Sequence, residues 1–204
     1  MSAIKIENLT FSYYGYVKPI FKNVSFSFDT NWKTGLIGRN GIGKSTLFKL
    51  LLNQETYQGK ISKDVEFIKF PPNIIDTSKL GIELYKELIS DDEEWKLFRE
   101  LNLLNVDENL VYREFKTLSK GEQTKILLAI LFTREDGFLL IDEPTNHLDA
   151  ESVSWLERFL KDFQGTIVAI THDRYFLDTV CDGILELSNR HMYQYDGNYG
   201  KDRK

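Results

Sequence analysis

Polar and apolar positions alternate along the first third of the chain. Ile4, Ile6 and then Leu9 are separated by polar residues, and Val24-Ser25-Phe26-Ser27-Phe28 alternates cleanly. Each stretch predicts a half-buried strand. Between them, Phe11 to Tyr16 is aromatic and turns at Gly15. Loop-forming Asp29-Thr30-Asn31 leads into an apolar run, Trp32 to Ile37, which predicts a buried strand. The period then changes: Leu47, Leu50 and Leu51 share one face of a helix. Gly59-Lys60-Ile61 and Val65 to Phe70 predict two further short strands.

Pro71-Pro72-Asn73 is the sharpest interruption in the chain. Beyond it the pattern is helical: Leu80 to Ile89, then Asp91 to Leu104 with Trp95, Phe98, Leu101 and Leu104 or nearby positions on one face, then Ser119 to Thr133. Strands return with Phe138-Leu139-Leu140-Ile141, a continuous apolar run expected of a central parallel strand buried on both faces. A helix from Ala150 to Phe163, with Val153, Leu156, Phe159 and Leu160 on one side, leads to a β-branched strand, Thr166 to Ile170. Arg174 to Cys181 is helical. Gly183 to Leu187 and His191 to Tyr195 form a closing hairpin around Ser188-Asn189-Arg190. The expected organisation is one domain over residues 1–204. Residues 1–72 and 134–196 form its β and core parts, and residues 73–133 form an inserted helical subdomain.

The length of 204 residues suits one domain carrying a subdomain. A net charge of −5, from 26 basic and 31 acidic residues, argues against broad contact with nucleic-acid phosphates by this segment. It leaves room for a local basic patch or a partner domain that does the binding. Cys181 is the single cysteine, so no internal disulfide forms, which fits a reducing compartment. No apolar run approaches the roughly 20 residues that span a bilayer. Met1-Ser2-Ala3-Ile4-Lys5 lacks a charged-then-apolar signal pattern. The expectation is a soluble, cytoplasmic protein without a membrane.

Gly38-Arg39-Asn40-Gly41-Ile42-Gly43-Lys44-Ser45-Thr46 changes the picture most. It matches G-x-x-x-x-G-K-[ST] and stands between a predicted strand and a predicted helix, the context a phosphate-binding loop requires. Glycines let the backbone curl so that successive N–H groups face an anion. The helix start adds unpaired donors and a positive dipole end. Lys44 can reach the outer phosphates, and the Ser45 hydroxyl can ligate Mg²⁺. The chain is therefore expected to bind a nucleoside triphosphate.

Asp142 and Glu143 follow the strand ending at Ile141, at the edge where parallel α/β sheets hold ligands. One acid can hold Mg²⁺ and the other can orient the attacking water; a solvated acidic turn before Pro144 is the alternative. His172, in Thr171-His172-Asp173, ends the next strand and could contact the γ-phosphate, or serve only the surface. Ser119 and Glu122 form a capping-box pattern. A helix start with a Ser hydroxyl and the N–H of Gly121 is also a good phosphate receptor.

The order of these motifs resembles the nucleotide-binding domain of ATP-binding cassette (ABC) proteins. It runs from the phosphate loop through Leu118-Ser119-Lys120-Gly121-Glu122-Gln123, Phe138-Leu139-Leu140-Ile141-Asp142-Glu143-Pro144 and His147-Leu148-Asp149 to the strand-end His172. The resemblance covers nearly the whole chain. It implies an α/β P-loop NTPase core (RecA-like parallel sheet) with an N-terminal antiparallel β subdomain and an inserted α-helical subdomain. It further implies ATP as ligand, with Tyr13 stacking on the adenine in preference to Phe11 or Tyr14. Asp142 and Ser45 would serve Mg²⁺, Glu143 would be the general base, and His172 would meet the γ-phosphate. Ser119 and Gly121 would bind ATP held by an opposing domain, and Asn146-His147-Leu148-Asp149 would cross between the two.

Glu143-Pro144-Thr145-Asn146-His147-Leu148-Asp149, Thr171-His172-Asp173-Arg174-Tyr175-Phe176-Leu177-Asp178 and Tyr195-Asp196-Gly197-Asn198-Tyr199 are similar to the ABC-F branch. That likeness implies two such domains on one chain, acting on the ribosome, with residues 197–204 opening an interdomain linker. The chain would then be a first domain without its second half, partnered by a second ABC domain of the same chain or of another copy. An ABC transporter motor subunit is the rival reading. Two departures stand out. Pro71-Pro72 occupies the place of a coupling glutamine, with Asn73 the nearest amide. Lys120 replaces the first glycine of the usual Ser-Gly-Gly signature, a form similar to some antibiotic-resistance members.

Overall fold

The computed structural model describes residues 4–62, 65–89, 93–188 and 191–196. The predicted helix start at Asp91, the hairpin turn at Asn189-Arg190 and the segment from Gly197 lie outside these residues. The chain divides into two compact units. The first comprises Met1–Lys69, Gly137–Glu143 and Gln164–Lys204, and the second Phe70–Asp136 and Pro144–Phe163.

The first unit holds two sheets. Strands β1 (Ile4–Phe11), β2 (Phe21–Phe28) and β4 (Gln58–Ser62) form an antiparallel sheet in the order β2-β1-β4. Ile6 lies opposite Phe26 on one side and Ile61 on the other. The second sheet contains β3 (Lys33–Gly38), β5 (Phe67–Phe70), β6 (Asp136–Asp142), β7 (Gln164–Ile170), β8 (Gly183–Ser188) and β9 (His191–Asp196), in the order β5-β6-β7-β3-β8-β9. β3 pairs parallel with β7 and β8, and β9 closes the edge as an antiparallel hairpin with β8. Strands β7 and β8, which flank β3, come from the far end of the chain. The loop leaving β3 thus opens at a topological switch point, where open α/β sheets hold ligands.

Helix α1 (Lys44–Leu51) buries Leu47, Phe48, Leu50 and Leu51 in the core of this unit. Ile4, Ile6 and Leu9 of β1, Leu36 of β3, Val168 and Ile170 of β7, and Leu185 and Leu187 of β8 complete that core. Phe138 of β6 receives the ring edges of Phe28 and Phe67 at centroid distances of 6.2 and 4.8 Å. Aromatic pairs in this geometry add stabilisation beyond their buried area.

The second unit is helical: α2 (Gly81–Ile89), α3 (Glu94–Leu103), α4 (Lys120–Phe132) and α5 (Ala150–Asp162). Ile126 to Phe132 of α4 is buried on every side, as a helix that is apolar all round must be. Helix α5 clusters here, although the sequence pattern groups residues 134–196 with the core. Its Phe159 ring stacks on Phe132 of α4 at 4.6 Å, and that contact is not encoded in α5 alone.

In α3 the buried face keeps Leu101 and Leu104 of the expected positions and takes Leu97 in place of Trp95. Leu97, Leu101 and the following Leu104 form the buried stripe, whereas Trp95 is 58% exposed with Arg99 above its ring. Spacing alone admits either residue, and packing selects the aliphatic one. Two short 3-10 turns, Glu108–Tyr112 and Phe115–Thr117, escape the sequence pattern because single turns carry no period.

Candidate functional site

The phosphate loop leaves β3 and enters α1 through Gly43, whose φ of 117° suits glycine. A Cβ there would also stand 2.4 Å from Ile20 Cγ2. Gly41, with φ of 75°, faces open space instead. Gly43 is the N-cap of α1 and offers no side-chain acceptor to the helix's first amides. Those donors suit an anion. Arg39, Asn40 and Gly41 are exposed, and Ile42 packs on the core.

Lys44 is 8% exposed, and its Nζ donates to the carbonyls of Gly38 at 2.8 Å and Arg39 at 3.3 Å. Burial pushes its pKa below the ordinary lysine value, while the Glu143 and Asp142 carboxylates pull it back up. A largely buried cation served by loop carbonyls is what an incoming phosphate would complete. The next residue, Ser45, is exposed. Thr46 is buried, and its Oγ1 lies 3.3 Å from the Tyr13 hydroxyl. The Tyr13 ring meets Phe11 edge-on at 4.9 Å, with Lys49 Nζ 5.8 Å from its centroid. Tyr13 is therefore tied to α1, whereas Tyr14 is fully exposed.

Asp142 ends β6, half-buried. Glu143 takes a left-handed conformation, φ 49°, and its N–H donates to the carbonyl of Ile170 at 2.8 Å. That bond joins the ends of β6 and β7, and it brings Glu143 Oε1 within 3.4 Å of His172 Nε2. The loop carrying His172 is pinned on both sides. Thr171 Oγ1 accepts from the Asp173 N–H, and the Asp173 carboxylate caps α6 (Arg174–Val180) by accepting from Phe176 N–H. Lys44, Asp142, Glu143 and His172 thus belong to one unit and one sheet edge, and Tyr13 joins them in that unit from the loop after β1. Among the described residues no group of three or more His, Cys, Asp or Glu could hold a metal ion by itself. Mg²⁺ is commonly held by one or two protein oxygens together with substrate phosphates. The Ser45 hydroxyl and the Asp142 carboxylate fit that donor set.

Ser119 and Gly121 lie in the second unit, with the Asn146–Asp149 loop. Ser119 Oγ accepts from Glu122 N–H at 3.2 Å, and Glu122 Oε2 accepts from Ser119 N–H at 2.7 Å, so the capping box is complete. Gln123 anchors the turn by donating from Nε2 to the carbonyls of Phe115 and Leu118, and its Oε1 accepts from Lys120 Nζ at 3.2 Å. A Cβ on Gly121 would make only an ordinary contact, 3.6 Å from the His147 carbonyl oxygen. The chain itself does not demand a glycine there. His147 is left-handed at φ 66°, and Asp149 caps α5 by accepting from Ser152 N–H at 2.8 Å. Lys125 Nζ sits 2.7 Å from the other Asp149 oxygen. Hydrogen bonds from Lys125 and then Ser152 lower the Asp149 pKa to about 2. Lys125 lies outside the sequence motifs, and Gln123 and Thr171 stand inside them without a role assigned from sequence. Asp149 and Asp173 could have been found as caps from their position just before a helix.

The family model described as ABC transporter matches residues 21–146. Among curated relatives, the energy-dependent translational throttle protein EttA of Escherichia coli (strain K12) is 35% identical, with 89% of this chain and 41% of that protein covered. The uncharacterized ABC transporter ATP-binding protein YfmR of Bacillus subtilis (strain 168) is 32% identical, with 98% and 38% covered. The chain thus spans about two fifths of the length of these relatives. A dimeric post-hydrolysis ATP-binding cassette bound to ADP and Pi shares the fold with a TM-score of 0.80 at 18% identity, covering 95% of this chain and 98% of that one. The matched segment, the phosphate loop in its strand-to-helix setting and the shared fold give one conclusion: this chain belongs to the ABC transporter family as an ATP-binding-cassette ATPase domain.

Proposed function

We propose that this chain binds and hydrolyses ATP as an ABC-F type domain, pairs with a second such domain, and acts on the ribosome. The observation that carries the chemistry is the grouping of the buried Lys44 with half-buried Asp142 and Glu143 and exposed His172 at one sheet edge. In this reading the amides of residues 39–46 and the Lys44 ammonium hold the phosphates, and Tyr13 supports the adenine. Ser45 and Asp142 would hold Mg²⁺, which when bound neutralises charge on the phosphate oxygens. Glu143 orients a water in line with the γ-phosphate and accepts its proton, with His172 beside it. Positioning and fixed dipoles carry most of the acceleration in such reactions.

Pairing is supported from the second unit. Gly121 stands near the start of α4 with no conformational or steric need of its own. A glycine there suits close approach by a group from outside the chain. Ser119 and Gly121 would receive ATP held by the opposing domain, so turnover requires two domains. The dimeric fold neighbour is in line with this reading.

The ribosome is drawn from the relatives named for translational throttling, and from the Asn146-His147-Leu148-Asp149 and Arg174-Tyr175-Phe176 contexts. Among the described residues no helix is long and apolar enough to cross a membrane. A cytoplasmic site of action goes with this reading. A role in antibiotic resistance, raised by the Lys120 form of the signature, finds no support in the relatives' names. The test has two arms. Phosphate release per chain should rise with chain concentration, and a fast, concentration-independent rate would refute pairing. Full-length protein trapped with Glu143→Gln and ATP should co-sediment with ribosomes; recovery with membranes instead would favour a transporter motor.

A further inference from the structure

The chemistry proposed above needs Ser119-Gly121 and the Asn146–Asp149 loop to meet an opposing domain together. Nothing in either motif says what keeps them in register. The structure assigns this task to a residue outside both motifs. We propose that Lys125 is a positioning residue, which through Asp149 locks the crossing loop to the first turns of α4 and so makes the two motifs one docking face. The proposal rests on the pairing reading and adds to it the residue that sets the geometry of the face.

Lys125 lies on the turn of α4 that follows the signature. It is mostly buried: its side chain is 21% exposed against 55% for Asp149. Its ammonium makes two contacts to separate segments, Asp149 Oδ2 at 2.7 Å and the Leu104 carbonyl at 3.4 Å just beyond α3. The cation therefore ties α4 both to the end of α3 and to the loop that starts α5. Asp149 is bidentate in function, because Oδ1 caps α5 through Ser152 N–H while Oδ2 receives Lys125. A second contact ties the chain after α3 to the first turn of α5: Asn105 Nδ2 donates to Glu151 Oε1 at 3.1 Å. Two residues before Asp149, the His147 carbonyl faces Gly121. The left-handed turn at His147 thus lies beside the signature glycine, with the chain just after it anchored at Asp149 and Glu151.

A surface ion pair contributes little to stability. A pair that fixes the relative position of two segments acts on whatever both segments must bind, and can change that coupling several-fold without loss of fold. The geometry also yields a clean variant. Asn caps helices as well as Asp, so Asp149→Asn keeps the Ser152 cap and removes only the charge that Lys125 uses.

The experiment follows phosphate release as a function of chain concentration at saturating ATP for the parent, Lys125→Met, Lys125→Arg, Asp149→Asn and the Lys125→Met/Asp149→Asn double variant. Binding of a fluorescent ATP analogue to the dilute chain is measured in parallel. Lys125→Met and Asp149→Asn are each expected to lower the concentration-dependent rate by about tenfold while analogue affinity stays within about twofold. The double variant should be no worse than either single one, and Lys125→Arg should recover most of the parental rate. Parental rates in Asp149→Asn, or additive losses in the double variant, would overturn the role of the pair. If Lys125→Met fails to fold, Asp149→Asn and Lys125→Arg still decide the matter. A parental rate without concentration dependence would instead refute the pairing reading.

Discussion

His172 Nε2 lies 3.4 Å from Glu143 Oε1, although the two residues end different strands. The link is a backbone bond: Glu143 N–H donates to Ile170 O, joining the ends of β6 and β7. Glu143→Gln removes the proton acceptor and leaves that bond and the phosphate loop intact. Phosphate release should fall by about 10²- to 10⁴-fold, with ATP affinity by calorimetry little changed. His172→Ala should also slow turnover, and its effect in the Glu143→Gln background should be much smaller than alone. Parental turnover in Glu143→Gln would remove Glu143 from the reaction.

Lys44 is buried against carbonyls, with burial depressing its pKa. Lys44→Met removes a desolvated cation and keeps most of its apolar stem. ATP affinity should drop about 10- to 100-fold, because charge-assisted bonds to phosphate are lost. The melting temperature without nucleotide should stay level or rise. A lowered melting temperature would mean that the ammonium stabilises the fold, contrary to the reading of the loop as an anion site.

Two glycines should respond in opposite ways. Gly43→Ala places a Cβ against Ile20 at positive φ, and urea denaturation should show a loss of about 2 kcal/mol or more. Gly121→Ala meets only an ordinary contact. Its stability should be unchanged or higher by up to about 1 kcal/mol, since alanine suits a helix better. Its concentration-dependent turnover should nonetheless fall. If Gly121→Ala kept full turnover, the glycine would not face a partner.

The Asp149 carboxylate, held at about 2 against an ordinary 3.8, sets a direction with pH. A depressed carboxylate contributes stability that is fully present above 3.8 and is lost as pH falls through about 2. Asp149→Asn should therefore flatten the acid limb of a urea-midpoint profile between about pH 4 and pH 2. The change should be small, because Asp149 is half-exposed and solvent screens the pair. An unaltered acid limb would show that the pairing with Lys125 is not maintained in solution.

Much of the first unit follows from local pattern. The alternation at Ile4–Leu9 and Val24–Phe28 appears as β1 and β2, and the apolar run before the phosphate loop as β3. Ser119 and Glu122 could be paired by eye because a capping box closes within one turn. Trp95 shows where such reasoning stops. Helical spacing allowed it to share the inner face, and packing placed Leu97 there instead, leaving Trp95 beneath Arg99.

By itself, the sequence determined several features whose physics spans a few residues. These are the curl of Gly38 to Thr46, the strand and helix on either side of it, the caps, and the order of the acidic and histidine motifs. Only the tertiary structure decided how residues far apart in the chain meet. It set β7 and β8 on either side of β3, brought His172 to Glu143 through the ends of β6 and β7, and grouped α5 with α4 through Phe159 and Phe132. It also joined Lys125 to Asp149. The reason is common to all four. Strand order and helix packing are chosen by burial summed over the whole unit, and no local period records that sum.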